Sequence, residues 1–552
     1  MMRRSANDKD ASMPSSNLTR GQALMQLVKA YGIDTVFGMP GVHTLEYYRG
    51  IADADMRHVL FRHEQGGGFM ADGYARISGK PAVCCVITGP GVTNIATAVG
   101  NAYADSMPML VIASTNGSGD LGAGRGRLHE ITDQLAVIKP LTAFAQTIHD
   151  GRQIPGAINR AFDIFETGRP RPCYIELPID KIAEAAEFAV EAAPIARPMH
   201  PAEDSIERAA EVAQGAKGPV IIAGGGIIDD GAALQALAEK LGAAVVLTIA
   251  AKGAIPDDHP LNVGAALVTD RAHRFVEDAD LVIAVGTELS ETDIWIDDDF
   301  LHLGGKLIRI DIDPANLSRD YSPDAAILGD GGLAMQMLAD ALPANNGSAG
   351  FTGSSVVADL RKAYIEDMLK GPVAPKHAKV LDALRAAVPE DGWMITDATM
   401  IAYFANGYWP TSTPRSYTHP SGYCTLGSAM PSAVGAKIGV PDRKGIALAG
   451  DAGFLFTATE LATAVDEKVA LPIVVWNNDC LGQINEGMVS RDITPIGVKP
   501  GRNPDFPAFA KSFGAYGHKA TSLSDLTGAV KDAFDADGPT LIEIHENADF
   551  LS

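Results

Sequence analysis

The residues best placed to do chemistry lie between Gly450 and Asn478, in the stretch GDAGFLFTATELATAVDEKVALPIVVWNN. The apolar run Gly445 to Ala449 reads as a strand and ends in Gly450-Asp451-Ala452-Gly453. A helical segment follows, with Leu461, Ala464 and Val465 on one face. A second apolar run, Leu471 to Trp476, ends in Asn477-Asn478-Asp479. Ligands of open α/β sheets bind at the carboxyl ends of such strands. There Asp451 offers a carboxylate, Asn478 an amide oxygen, and the turn after it a backbone carbonyl. A hard cation such as Mg2+ takes a few oxygens of this kind and fills its shell with phosphate oxygens from a ligand. The glycines let a phosphate approach the backbone, and the start of the helix adds amide donors.

Elements that could position these groups recur along the chain. Leu18 to Tyr31 reads as a helix capped by Thr19. Short apolar runs at 34–38, 58–61, 81–88 and 109–114 alternate with helical stretches and end in Gly38-Met39-Pro40-Gly41, Arg62-His63-Glu64-Gln65 and Thr88-Gly89-Pro90-Gly91. Alternation of this kind predicts a doubly wound parallel sheet. A second α/β unit starts near Gly218, where a strand enters Gly224-Gly225-Gly226. That tripeptide is an incomplete dinucleotide fingerprint, and the unit reads equally well as a spacer. The expected organisation is a disordered extension over 1–17, a first domain over 18–182, a linker over 183–200, a middle domain over 201–340, a linker over 341–355 and a third domain over 356–552. The expected fold class is α/β, with three doubly wound parallel-sheet domains in series.

Bulk properties remove several classes of function. The chain has 552 residues and a formal net charge of −23, which argues against nucleic acid as a partner. Its five cysteines, at 84, 85, 173, 424 and 480, lack CxxC spacing and point to a reducing compartment without a zinc site. No apolar run approaches the length of a membrane helix, so no membrane partner is expected and the expected localisation is cytoplasmic.

With GMPG at 38–41, RHEQGGGFMADGYAR at 62–76 and TGPGVTN at 88–94 preceding GDAG and Asn-Asn in that order, the chain resembles the acetolactate synthase and 2-oxo acid decarboxylase family of thiamine-diphosphate enzymes. The resemblance implies thiamine diphosphate and Mg2+ as cofactors and a small 2-oxo acid as substrate. The three domains become pyrimidine-binding, middle and diphosphate-binding. Asp451, Asn478 and the Cys480 carbonyl would hold the metal. Thr399, Gly450, Ala452, Gly453, Leu481 and Gly482 would surround the diphosphate. The Cys424 carbonyl would accept from the 4′-amino group, and Leu426 would wedge between the two rings. Pro40, Thr88, Pro90 and Asn94 would line the pyrimidine side. Glu64 would be the carboxyl that exchanges a proton with N1′ of the aminopyrimidine. The family shares its site between the first domain of one subunit and the third domain of another, so a homodimer is the smallest expected unit and a homotetramer the expected state.

In acetolactate synthases, an arginine-containing stretch after a middle-domain strand helps to hold FAD. Here that place reads Gly286-Thr287-Glu288-Leu289-Ser290-Glu291-Thr292-Asp293, with three acids and no base, and FAD is not expected. Together with PGVHTLEYYRG at 40–50 and LHEITDQ at 128–134, this stretch is similar to the 5-guanidino-2-oxopentanoate decarboxylases of the family. Glu288, Glu291 and Asp293 are then candidate partners for a guanidinium tail, which favours planar carboxylates. His43 and His129 are candidate proton donors. Two alternatives stay open: an acetolactate synthase-like carboligase, and a catalytically silent binding or regulatory paralogue.

Overall fold

A computed structural model describes residues 18–295, 301–343 and 353–552. The expected extension over 1–17 and residues 344–352 of the expected second linker lie outside the described residues. The described residues form three six-stranded sheets in which all strand pairs are parallel. The first contains β1 Thr35–Gly38, β2 Arg57–Leu60, β3 Ala82–Val86, β4 Met109–Thr115, β5 Phe144–Thr147 and β6 Cys173–Pro178, in the order β2-β1-β3-β4-β6-β5. The second contains β7 Pro219–Ala223, β8 Ala244–Leu247, β9 Asn262–Gly264, β10 Leu281–Val285, β11 Lys306–Asp311 and β12 Ala325–Leu328, in the order β12-β11-β10-β7-β8-β9. The third contains β13 Trp393–Thr396, β14 Tyr417–Thr418, β15 Gly445–Gly450, β16 Pro472–Asn477, β17 Tyr516–Lys519 and β18 Thr540–His545, in the order β14-β13-β15-β16-β18-β17.

Helices cover both faces of each sheet, which is why central strands such as β4, β10 and β16 are apolar at nearly every position and buried throughout. Each order changes direction inside the sheet, between β1 and β3, between β10 and β7, and between β13 and β15, and the first and third orders turn back again at the β5 and β17 edges. The reversals inside the sheets open a crevice at the strand carboxyl ends.

Two boundaries differ from the sequence reading. The first half of the expected linker over 183–200 belongs to the first domain: Thr19 bridges Ala185, and Ala186 and Phe188 lie in that domain's core. The helix Ser354–Met368, at the expected start of the third domain, instead places Val357 and Tyr364 in the middle domain's core. The first helix runs over Arg20–Ala30 and starts with a capping box in which Thr19 and Gln22 exchange side-chain and backbone hydrogen bonds.

The first and third domains of one chain meet along the helices Glu64–Ser78 and Ala429–Gly439. A methyl group at Gly73 would overlap the Ser432 backbone, and one at Gly435 would overlap the Met70 carbonyl. Only glycine permits so close a crossing. Glu460, with no exposed surface, adds a polar fastening: its carboxylate accepts the backbone N–H of Arg62 at 3.0 Å and of His63 at 2.8 Å. The middle domain is tied to the third by Lys252, 3% exposed, whose ammonium donates to the Trp409 carbonyl at 2.6 Å and lies over the Tyr417 ring.

Candidate active site

At the β13/β15 crevice three loop segments converge. A methyl group at Gly450 would come within 2.7 Å of the Thr399 hydroxyl, one at Gly453 within 2.7 Å of the Asp397 carboxylate, and one at Gly482 within 2.9 Å of Met400. The motif glycines therefore serve to bring the segments after β13, β15 and β16 into contact, with Thr399 packed directly on the GDAG turn. Asp451, 2% exposed, starts the helix Asp451–Phe456. The single helix read from the sequence is in fact two short ones, Asp451–Phe456 and Leu461–Asp466, separated by a turn at Ala458–Glu460. The turn carries Glu460 to its partners in the first domain.

Burial raises the Asp451 pKa above the usual carboxylate range, against a 2.6 Å hydrogen bond from the Asn503 amide. Asn478 Oδ1 accepts from the Cys480 N–H at 3.1 Å, within the turn whose carbonyl was assigned to the metal. A buried carboxylate, an amide oxygen and a turn carbonyl at adjacent strand ends form a hard-oxygen set, which fits Mg2+ bound with a diphosphate. Ala452, Asn478, Cys480, Leu481 and Gly482 are all half-buried, so their backbone remains reachable.

The loop Gly422 to Gly427 is held from two sides. Asp105 accepts the Gly422 N–H at 2.7 Å, and both oxygens of the buried Asp397 lie 3.0 Å from the Gly427 nitrogen. Burial pushes Asp397 up to about 7, although backbone N–H groups of Ala398, Gly427, Ala429 and Ser428 donate to it. Cys424 adopts a left-handed backbone (φ 48°) and Leu426 is half-buried. This arrangement presents a loop carbonyl and an apolar side chain beside the crevice.

In the first domain, Glu64 is the first residue of the helix Glu64–Ser78 and is 8% exposed. Asn94, on the helix Pro90–Ala104, donates to its Oε2 at 2.9 Å, so two of the sequence motifs meet in one hydrogen bond. Thr88 is buried and donates to Ser114 Oγ at 2.9 Å. Pro40 and Pro90 are exposed on this chain. The LHEITDQ segment folds over the Gly89 turn: Gln134 accepts the Gly89 N–H at 2.6 Å and donates to Glu176 at 2.7 Å. His43 and His129 stack edge to face with ring centroids 5.4 Å apart, and the Nδ1 atom of each is buried without a hydrogen-bond partner. Burial, and then the neighbouring His129 charge, lower the His43 pKa.

The three acids of the middle domain have different surroundings. Glu288 is enclosed by Arg169, Arg171 and Arg319; despite partial burial, these partners hold it at about 2. Glu291 is exposed. Asp293 is half-buried and closes a capping box with Ser290. Burial pushes it up to about 6 against the Ser290 hydrogen bonds, and the charges of Glu288 and Asp105 add to the rise.

Models of the thiamine pyrophosphate enzyme N-terminal TPP binding domain, central domain and C-terminal TPP binding domain match residues 18–137, 206–338 and 397–544. The chain belongs to the thiamine pyrophosphate enzyme family. Among its relatives, a probable 2-ketoarginine decarboxylase of Pseudomonas aeruginosa is 46% identical over 96% of this chain and 94% of its own length. A probable acetolactate synthase large subunit of Methanocaldococcus jannaschii is 32% identical, covering 95% and 91%. The acetolactate synthase isozyme 1 large subunit of Escherichia coli is 29% identical, covering 96% and 94%. In this thiamine pyrophosphate enzyme, Asp397 and Asn503 contact motif segments although motif reading did not single them out, whereas Gln134 closes the quoted LHEITDQ stretch without having been given a role. Asp397 and Asn503 lie outside the quoted motifs and act on them from other segments. No helix among the described residues is long and apolar enough to cross a membrane.

Proposed function

We propose that the chain is a cytoplasmic, thiamine-diphosphate- and Mg2+-dependent decarboxylase of 5-guanidino-2-oxopentanoate, assembled as a homodimer or homotetramer. The observation that carries this reading is the 46% identity along nearly the whole chain to the probable 2-ketoarginine decarboxylase, well above the 32% and 29% to the two acetolactate synthase subunits. Asp451, Asn478 and the Cys480 carbonyl hold the cation. Thr399 and the backbone of 450–453 and 481–482 surround the diphosphate. The Cys424 carbonyl and Leu426 fix the position of the rings. When bound, the cofactor supplies the electron sink that lets a 2-oxo acid lose CO2. Glu64, oriented by Asn94, moves a proton at N1′ of the aminopyrimidine. The His43–His129 pair is the proton source for the departing aldehyde.

Asp293 is the preferred partner for the substrate guanidinium. Its burial next to Glu288 and Asp105 concentrates negative charge, which a cation would relieve. Glu288 already has its arginines, and Glu291 faces solvent. Exposed apolar side chains beside the two half-sites, among them Val42, Leu45 and Leu128 on the first domain and Phe456, Val489 and Ile496 near the third-domain crevice, support a second copy of the chain as their cover. The Gly224 N–H on the Val285 carbonyl at 2.9 Å and the Gly226 N–H on the Gly286 carbonyl at 3.0 Å fill that turn with backbone, which supports the middle domain as a spacer without FAD.

The test is to supply 5-guanidino-2-oxopentanoate, 2-oxopentanoate and pyruvate with thiamine diphosphate and Mg2+ and to identify the products. CO2 with 4-guanidinobutanal is the expected outcome. Acetolactate from pyruvate as the main product would replace this reading with a carboligase.

A further inference from the structure

The segment leading into the helix Phe506–Ser512 is fastened across the strand ends by one side chain, Asn503. Its amide nitrogen lies 2.6 Å from Asp451 Oδ2, 3.0 Å from Asn477 Oδ1 and 2.9 Å from Asp479 Oδ1. Its own Oδ1 is buried without a partner. Three acceptors around one nitrogen settle which way the amide faces, because the reverse orientation would set an oxygen against three oxygens. The acceptors are themselves anchored. Asn477 donates to Glu543 at 2.8 Å, and Asp479 pairs with His545 at 3.0 Å. A second tether, the Leu481 N–H to the Val498 carbonyl at 2.7 Å, holds the same segment against the turn after β16.

We propose that Asn503 is a positioning residue for the cation site: it holds the Asp451 carboxylate by Oδ2, leaves the other oxygen as the ligand atom, and locks the Asn477–Asp479 turn in register with it. This rests on the reading of Asp451 and Asn478 as cation ligands. The chemistry suits a neutral donor. A lysine or arginine here would neutralise the charge that attracts the metal, and a carboxylate would add repulsion between oxygens. Groups that orient metal ligands from behind typically change metal affinity by about ten- to a hundredfold when removed.

The experiment is calorimetric titration of Mg2+ into protein supplied with thiamine diphosphate, beside the melting temperature of the protein without additions. Asn503→Ala is expected to weaken Mg2+ binding by about tenfold or more while the unliganded melting temperature stays at the wild-type value. Asn503→Ser, which keeps one donor, should recover part of the affinity. Asn503→Asp, with the same shape and no donor, should fail at least as badly as alanine. Wild-type Mg2+ affinity in Asn503→Ala would overturn the proposal, as would tighter binding in Asn503→Asp, which would make the residue a direct ligand. A loss of affinity matched by a large drop in the unliganded melting temperature would reduce Asn503 to a structural fastener. Asp451→Ala separates the two levels: if it binds Mg2+ normally, the cation site itself is misplaced. If it loses Mg2+ while Asn503→Ala does not, only the positioning role falls.

Discussion

The middle and third sheets are built alike and use their crevices in opposite ways. At the β13/β15 reversal, pairing stops with the Asp397 N–H on the Leu448 carbonyl at 2.9 Å, and polar side chains that the ladder does not need come together: Asp397, Thr399, Asp451 and Asn478. At the β7/β10 reversal, pairing runs one step further into the turn. The Gly224 N–H reaches the Val285 carbonyl at 2.9 Å, and the Gly226 N–H reaches the Gly286 carbonyl at 3.0 Å. Glycine serves both places. In the third domain it admits side chains and a ligand; in the middle domain it admits another stretch of backbone. A glycine-rich turn after a strand therefore says that something comes close, and the neighbouring polar residues say whether that thing is a ligand.

The strongest way to break this comparison is to remove the proposed cation ligand of the third domain. Asp451→Ala should weaken thiamine-diphosphate binding in Mg2+ by at least about a hundredfold, on the order of 3 kcal/mol, because diphosphate charge is left poorly neutralised. Calorimetry reads this directly, and unchanged affinity would refute the assignment.

A matched pair of glycine substitutions sharpens it. Gly453→Ala would press on the Asp397 carboxylate and should weaken the cofactor. Gly224→Ala would press on the Gly286 carbonyl and should lower stability by about 1–3 kcal/mol with the cofactor affinity kept. If Gly224→Ala weakens the cofactor as much as Gly453→Ala does, the two crevices are not different in kind.

A smaller effect concerns specificity. Asp293→Asn should raise KM for 5-guanidino-2-oxopentanoate by about tenfold, roughly 1.4 kcal/mol, and leave 2-oxopentanoate little changed. Equal losses for both substrates would make Asp293 structural.

The smallest effect tests the seam between the two domains. Burial lowers the Lys252 pKa from its usual value to about 8. In the unfolded chain the amine keeps its proton up to about 10.4, so the unfolded state binds more protons between these values and stability rises with pH there. The gain lies above pH 8 and is lost as pH falls through it. Between pH 8 and 9 it amounts to about 1 kcal/mol. Lys252→Met should flatten that part of the denaturation profile, and an unchanged slope would assign it to other groups.

Much of the fold and half of the candidate site were legible because they are local. GDAG and Asn-Asn sit at the ends of strands with an unmistakable apolar pattern, and Glu64 stands in a long contiguous motif. What was not legible is long-range or short in extent. Glu460 reads as an ordinary helical acid, yet its partners Arg62 and His63 lie in another domain. Glu288 reads as a free carboxylate because Arg169 and Arg171 belong to a different sheet's domain. The edge strand β14 has two residues, too few for any periodicity, and β17 is half polar because only one side of it is paired. Asn503 carries no pattern at all; only the folded chain brings it to Asp451.

The crossing at Gly73 and Gly435 has a consequence for inheritance. Neither position can accept even a methyl group unless the opposite helix changes with it, so the two helices drift as a couple or not at all. A chimera that took its first domain from one relative and its third from another would have to carry both helices from the same parent. Recombination in this lineage should therefore keep both helices with one parent, and the seam between the middle and third domains obeys the same rule where a methyl group at Gly253 would overlap the Thr413 carbonyl.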